Sequence, residues 1–85
     1  MVRVIVEREF PEPVEFASLQ CTESRSAWCL EQHGVKPVRS YFSVDRRRMF
    51  CEYEAPDAES VRIAQTKAHM PFTRVWVADV IEPEP

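Results

Sequence analysis

"MFCEYEAPD", residues 49–57, decides the fold, because it is a strand that runs directly into the start of a helix. Side chains on a strand alternate between faces, so Glu52 and Glu54 point away from Cys51. Asp57 has a separate role as a helix N-cap, and Glu59 favours the positive end of the helix dipole. The helix continues through "PDAESVRIAQTKAHMP" until Pro71 stops it. Val61, Ala64 and Ala68 give it a narrow stripe of small residues, suited to lying close on a sheet.

Working upstream, "VRSYFSV" (residues 38–44) is rich in β-formers and follows Pro37. A short charged break at Asp45 separates it from "RRMFCEYEA", which predicts a hairpin with aspartate in the turn. At the N-terminus "VRVIVEREF" alternates, with Val2, Val4 and Val6 on one face and Arg3, Ile5 and Glu7 on the other. Pro11 and Pro13 end that strand. Val14 to His33 holds neither proline nor glycine and predicts a long helix, with Gly34 as its C-terminal cap. Two apolar stripes compete on it. One carries Ala17, Cys21 and Trp28 with Ser24 between; the other carries Phe16, Leu19, Ala27 and Leu30 with Glu23 between. Downstream, "RVWVADVI" (residues 74–81) is the last strand, and residues 1–82 form one domain with a loose tail at 83–85.

The order β-α-β-β-α-β predicts an α+β, ferredoxin-like fold: a four-stranded antiparallel sheet in the order 4-1-3-2, with both helices on one face. Within it, strands one and three are expected to be adjacent and parallel, which would let the carboxylate pairs Glu7/Glu9 and Glu52/Glu54 converge. The alternative for those pairs is solvation or pairing with Arg3, Arg8 or Arg74. Val75-Trp76-Val77-Ala78 is apolar on both faces, as are Val4-Ile5-Val6 and Met49-Phe50-Cys51. An edge strand on a half-covered sheet should alternate. A second copy packing sheet on sheet in a homodimer covers the open face most simply.

Composition narrows the function. A chain of 85 residues is one domain and buries only about 60–65% of its unfolded surface, so a partner subunit helps it. A net charge of −3 argues against nucleic acid as partner. The run Arg46-Arg47-Arg48 is short and fits a solvated hairpin tip. No apolar run approaches the roughly 20 residues of a membrane span, and no signal peptide opens the chain, so a cytoplasmic location is expected. Three cysteines make a poor disulfide framework. Cys21 and Cys29 are expected on one helix, roughly 12 Å apart along its axis, beyond the about 7 Å a bridge allows.

Little points to catalysis. The single glycine excludes a glycine-rich phosphate loop. Cys51 lacks a base beside it on its own face, leaving a packed core residue or a metal ligand. His33 and His69 sit near helix ends, outside any close-spaced His pair or Cys-x-x-Cys motif, where the helix dipole alone accounts for a histidine.

The segments "VEREFPEP", "GVKPVRSYFSVD", "FCEYEAPDAESVR" and "PFTRVWVADVIEP" together resemble a family of small bacterial ferredoxin-like proteins, formerly a domain of unknown function and now labelled nickel-binding. The resemblance spans most of the chain, and "FC-x-YEAPD" is its most specific part. It implies a dimer and nickel, or another divalent transition metal, as ligand. The candidate donors are Glu7, Glu9, Cys51, Glu54 and His69. The family often carries a histidine near Ala64 and a glycine near His69, so this chain departs from it at both places. The competing expectation is a small-molecule site or minor enzyme, with a pocket lined by Tyr41, Phe42, Tyr53 and Trp76 between sheet and partner.

Overall fold

The computed structural model describes residues 1–84, and the side chains of all of these except residue 16 and residues 20–26. The elements follow the expected order: β1 (Val2–Glu9), α1 (Phe16–Gln32), β2 (Lys36–Phe42), β3 (Arg48–Ala55), α2 (Ala58–Lys67) and β4 (Arg74–Ala78). The sheet has the order β2-β3-β1-β4, which is 4-1-3-2 counted from the other edge. This α+β arrangement is consistent with a ferredoxin-like fold.

One expectation fails. β1 and β3 are adjacent but antiparallel, with Arg3 opposite Glu54, Ile5 opposite Glu52, Glu7 opposite Phe50 and Glu9 opposite Arg48. β3 returns from a hairpin after the β1-α1-β2 crossover, so it must run against both of its neighbours. The two carboxylate pairs therefore lie toward opposite ends of the ladder.

The even residues of β1 and the odd residues of β3 build the core. Val4, Val6, Met49, Cys51, Tyr53 and Ala55 meet Leu30 of α1 and Val61 and Ala64 of α2. Burying each larger apolar side chain contributes about 1.5–3 kcal/mol. On α1, Cys29 and Leu30 are buried and Leu19 half-buried, while Ala27 of the same stripe as the leucines and Trp28 of the competing stripe are exposed. The parts expected of Phe16, Cys21, Glu23 and Ser24 fall outside the described side chains.

Both helices end in the same left-handed device. After α1, Val35 donates its N–H to the Leu30 carbonyl and Gly34 to that of Glu31, with Gly34 at φ 69°. After α2, Met70 donates to Gln65 and His69 to Thr66, with His69 at φ 58°. These are Schellman caps, which favour glycine at the left-handed position. α2 begins as expected, with Asp57 Oδ1 accepting from the Ser60 N–H at 2.7 Å.

In the hairpin the left-handed residue is Arg46 (φ 65°), not Asp45. Asp45 instead accepts from the Ser43 hydroxyl at 2.6 Å and from the Arg47 N–H at 3.1 Å. Its short side chain acts through hydrogen bonds, while the Arg46 guanidinium stacks 4.7 Å above the Phe42 ring. β4 stops at Ala78, three residues before the expected end, and residues 79–84 carry no regular element. No helix is long and apolar enough to cross a membrane.

Candidate functional site

The sheet divides the candidate residues between two faces. On the open face the registers set up cross-strand rows. One row runs Tyr41, Phe50, Glu7, Arg74; the next runs Arg39, Glu52, Ile5, Trp76; a third runs Lys36, Glu54, Arg3, Ala78. Tyr41 is 62% exposed, Phe50 40% and Trp76 41%, so three aromatic side chains stand on a surface that the helices never touch. Apolar side chains of this size stabilise a protein chiefly when covered.

Charge organises the rest of that face. The Arg3 guanidinium donates to Glu52 Oε2 and, at 3.2 Å, to Glu54 Oε1. Arg39 approaches Glu52 from the other side at 3.3 Å. Glu52 is consequently buried, and its two arginines compensate it. The Arg3 side-chain pKa is raised above its ordinary value, first by its hydrogen bond to Glu52. Glu7 accepts from the Trp76 indole N–H at 2.7 Å. The Arg-paired reading of the carboxylates thus applies to Glu52 and Glu54 through Arg3 and Arg39. Arg8 takes no part, because it faces the core.

The five metal candidates do not meet. Glu7, Glu9 and Glu54 belong to the open face, where Glu7 is held by Trp76 and Glu54 by Arg3. Cys51 is 1% exposed in the core on the other side of the sheet. His69 is exposed in the left-handed position after α2. Among the described residues no three of His, Cys, Asp and Glu gather closely enough to hold a metal ion. The donors on the open face are all carboxylates, whereas imidazole and thiolate, which suit nickel and zinc, lie elsewhere. Ala64 is fully buried, and its carbonyl faces the Cys29 thiol at 3.6 Å. The described residues of one chain therefore do not gather into a nickel centre.

The four pocket candidates also separate. Tyr41 and Trp76 lie on the open face, whereas Tyr53 is 2% exposed in the core and Phe42 packs against that core from the helix side. They do not line one cavity.

The sequence reading gave no role to a cluster behind Tyr53. Arg8 is only 4% exposed, on the helix side of β1. Its guanidinium donates to Gln65 Oε1 at 2.6 Å, to the Tyr53 hydroxyl at 3.2 Å and to the Pro71 carbonyl at 2.8 Å. The signal was present: Arg8 continues the Val2, Val4, Val6 parity, but its charge suggested the surface.

The comparisons with known proteins match this picture at the level of the fold. The chain superimposes on the crystal structure of SCO4226 from Streptomyces coelicolor A3(2) with a TM-score of 0.83, over 94% of this chain and 99% of that one, at 11% identity. Comparison with curated protein sequences finds no match. The model of the family described as nickel responsive protein, SCO4226-like, matches residues 5–77. Since that match runs from the middle of β1 through β4, the chain belongs to the SCO4226-like nickel responsive protein family.

Proposed function

We propose that this chain works as a non-catalytic homodimer, its two copies joined through the open faces of their sheets. The observation that carries the reading is the exposure of Tyr41, Phe50 and Trp76, from two adjacent rows, on a sheet face opposite both helices. A second copy is the favoured occupant because the face bears both signs of charge. Glu7, Glu9 and Glu54 alternate there with Arg39, Arg48 and Arg74, which suits the self-matching surface of a two-fold interface. Two such sheets pack about 10 Å apart with their side chains interdigitated.

The family's name speaks of a nickel response. In this chain the donors of one copy are split between two faces, so a nickel centre would need donors from two chains. The buried, unpaired thiols of Cys29 and Cys51 suit a reducing compartment such as the cytoplasm. The alternative of a pocket between sheet and partner loses support, because two of its four expected lining residues lie on the helix side.

Light scattering on tag-free protein at micromolar concentration tests the proposal. Twice the chain mass is expected. A single chain mass across the accessible concentration range overturns it.

A further inference from the structure

Arg8 presents a physical problem that the dimer does not address, because it lies on the helix side of the sheet. A buried guanidinium carries an unavoidable positive charge, and taking such a charge out of water costs several kcal/mol unless an opposite charge compensates it. Its partners are all neutral: the Gln65 amide, the Tyr53 hydroxyl and the Pro71 carbonyl. Among the described residues no carboxylate lies within ion-pair distance of it.

A second observation comes from Gln65, which is 0% exposed. Accepting from Arg8 fixes its Oε1 toward the guanidinium, so Nε2 must point elsewhere as a donor. Among the described residues that Nε2 has no hydrogen-bond partner. Buried donors without acceptors are uncommon in folded proteins and call for an explanation. Here a cation lacking an anion and a donor lacking an acceptor lie side by side.

Arg8 adjoins open space. A cleft of about 220 Å³ is lined by Arg8, Phe10, Leu19, Met49, His69, Met70 and Pro71. Gln65 borders a neighbouring cleft that shares His69, Met70 and Pro71 with the first. Of the shared residues, His69 holds a left-handed conformation that its side chain disfavours.

We propose that the cleft beside Arg8 binds a small carboxylate with an apolar body. The single guanidinium matches one negative charge, and the two of its five N–H groups not given to Gln65, Tyr53 and Pro71 are the donors left for a carboxylate. The walls of Phe10, Leu19, Met49 and Met70 suit an apolar body and would strip hydration from a more highly charged phosphate. The cleft is smaller than the about 300–1,000 Å³ of drug-sized sites, so the ligand is small.

The test is a titration of the intact protein with sodium benzoate, with benzamide and sodium chloride as matched controls at constant ionic strength. It is followed by amide and side-chain amide NMR. Saturable shifts are expected at Phe10, His69 and Met70 and in the Gln65 side-chain NH₂, with benzamide at least tenfold weaker. Leu19→Trp, which fills the cleft from α1 and leaves Arg8 in place, is expected to abolish the response. Arg8→Met is expected to do the same where it folds. Equal responses to benzoate and benzamide, shifts confined to residues 46–48, or full binding by Leu19→Trp would each overturn the proposal.

Discussion

The Trp76 indole N–H donates to Glu7 Oε2 at 2.7 Å, tying edge strand β4 to central strand β1 across the open face. This bond engages a carboxylate that is among the candidate metal donors. It also holds the indole on the sheet, in a position to be covered.

That arrangement leads to a metal prediction. The described donors of one chain are scattered, so a single-chain form should have no saturable nickel site at micromolar concentration. The Phe50→Arg variant provides such a form if the face carries the dimer, because arginine opposite Glu7 suits the ladder but opposes sheet-to-sheet packing. Calorimetric nickel titration and elemental analysis of tag-free protein check this. A stoichiometric site in the single-chain variant would contradict it.

The helix ends give a pair of opposite stability effects. His69 sits at φ 58° where glycine is at ease, so His69→Gly should stabilise the protein by about 1 kcal/mol. Gly34 sits at φ 69°, a conformation that strains any L side chain, so Gly34→Ala should destabilise by a similar amount even though a Cβ there would meet Pro56 at an ordinary 3.5 Å contact. Urea unfolding midpoints measured at equal slope read both. The account of the caps fails if the two substitutions shift the midpoint in the same direction.

Acid should loosen the cap and the hairpin together. The Ser60 backbone N–H holds the Asp57 carboxyl below its ordinary value. The Ser43 hydroxyl, followed by the Arg47 N–H, does the same for Asp45. Depressed folded-state values mean that the stability these groups contribute is present above the unfolded carboxylate range near 3.9. It is lost as pH falls through the lower folded values. Melting curves from pH 6 to pH 2 should show a decline setting in below about pH 4. Asp57→Asn should keep most of the cap and flatten part of that decline. An unchanged pH profile in a double Asp45→Asn, Asp57→Asn variant would rule out this source.

Much of the fold was legible because local rules and the global pattern agree. Asp57 before an amphipathic run, Gly34 after one, and the alternation from Val2 to Val6 each have one reading. What escaped needed long-range geometry. The β1–β3 direction follows from the hairpin, yet it decides which ends of the Glu pairs meet. Arg8 obeyed the parity of the core but carried a charge, and the partners that accommodate it, Gln65 and Pro71, are more than fifty residues away. Tyr41 and Tyr53 fell on opposite faces through register, which hydrophobicity alone does not encode. His69 was noticed as a donor, but its place in the fold is set by its backbone.

The most direct test of the open-face dimer is sedimentation velocity over a dilution series, with the natural chain and Phe50→Arg side by side. The account predicts a two-chain species for the natural chain. For Phe50→Arg it predicts one chain, with an unchanged far-ultraviolet circular dichroism spectrum. A natural chain that sediments as a single copy throughout, or a Phe50→Arg variant that remains fully dimeric, would contradict it.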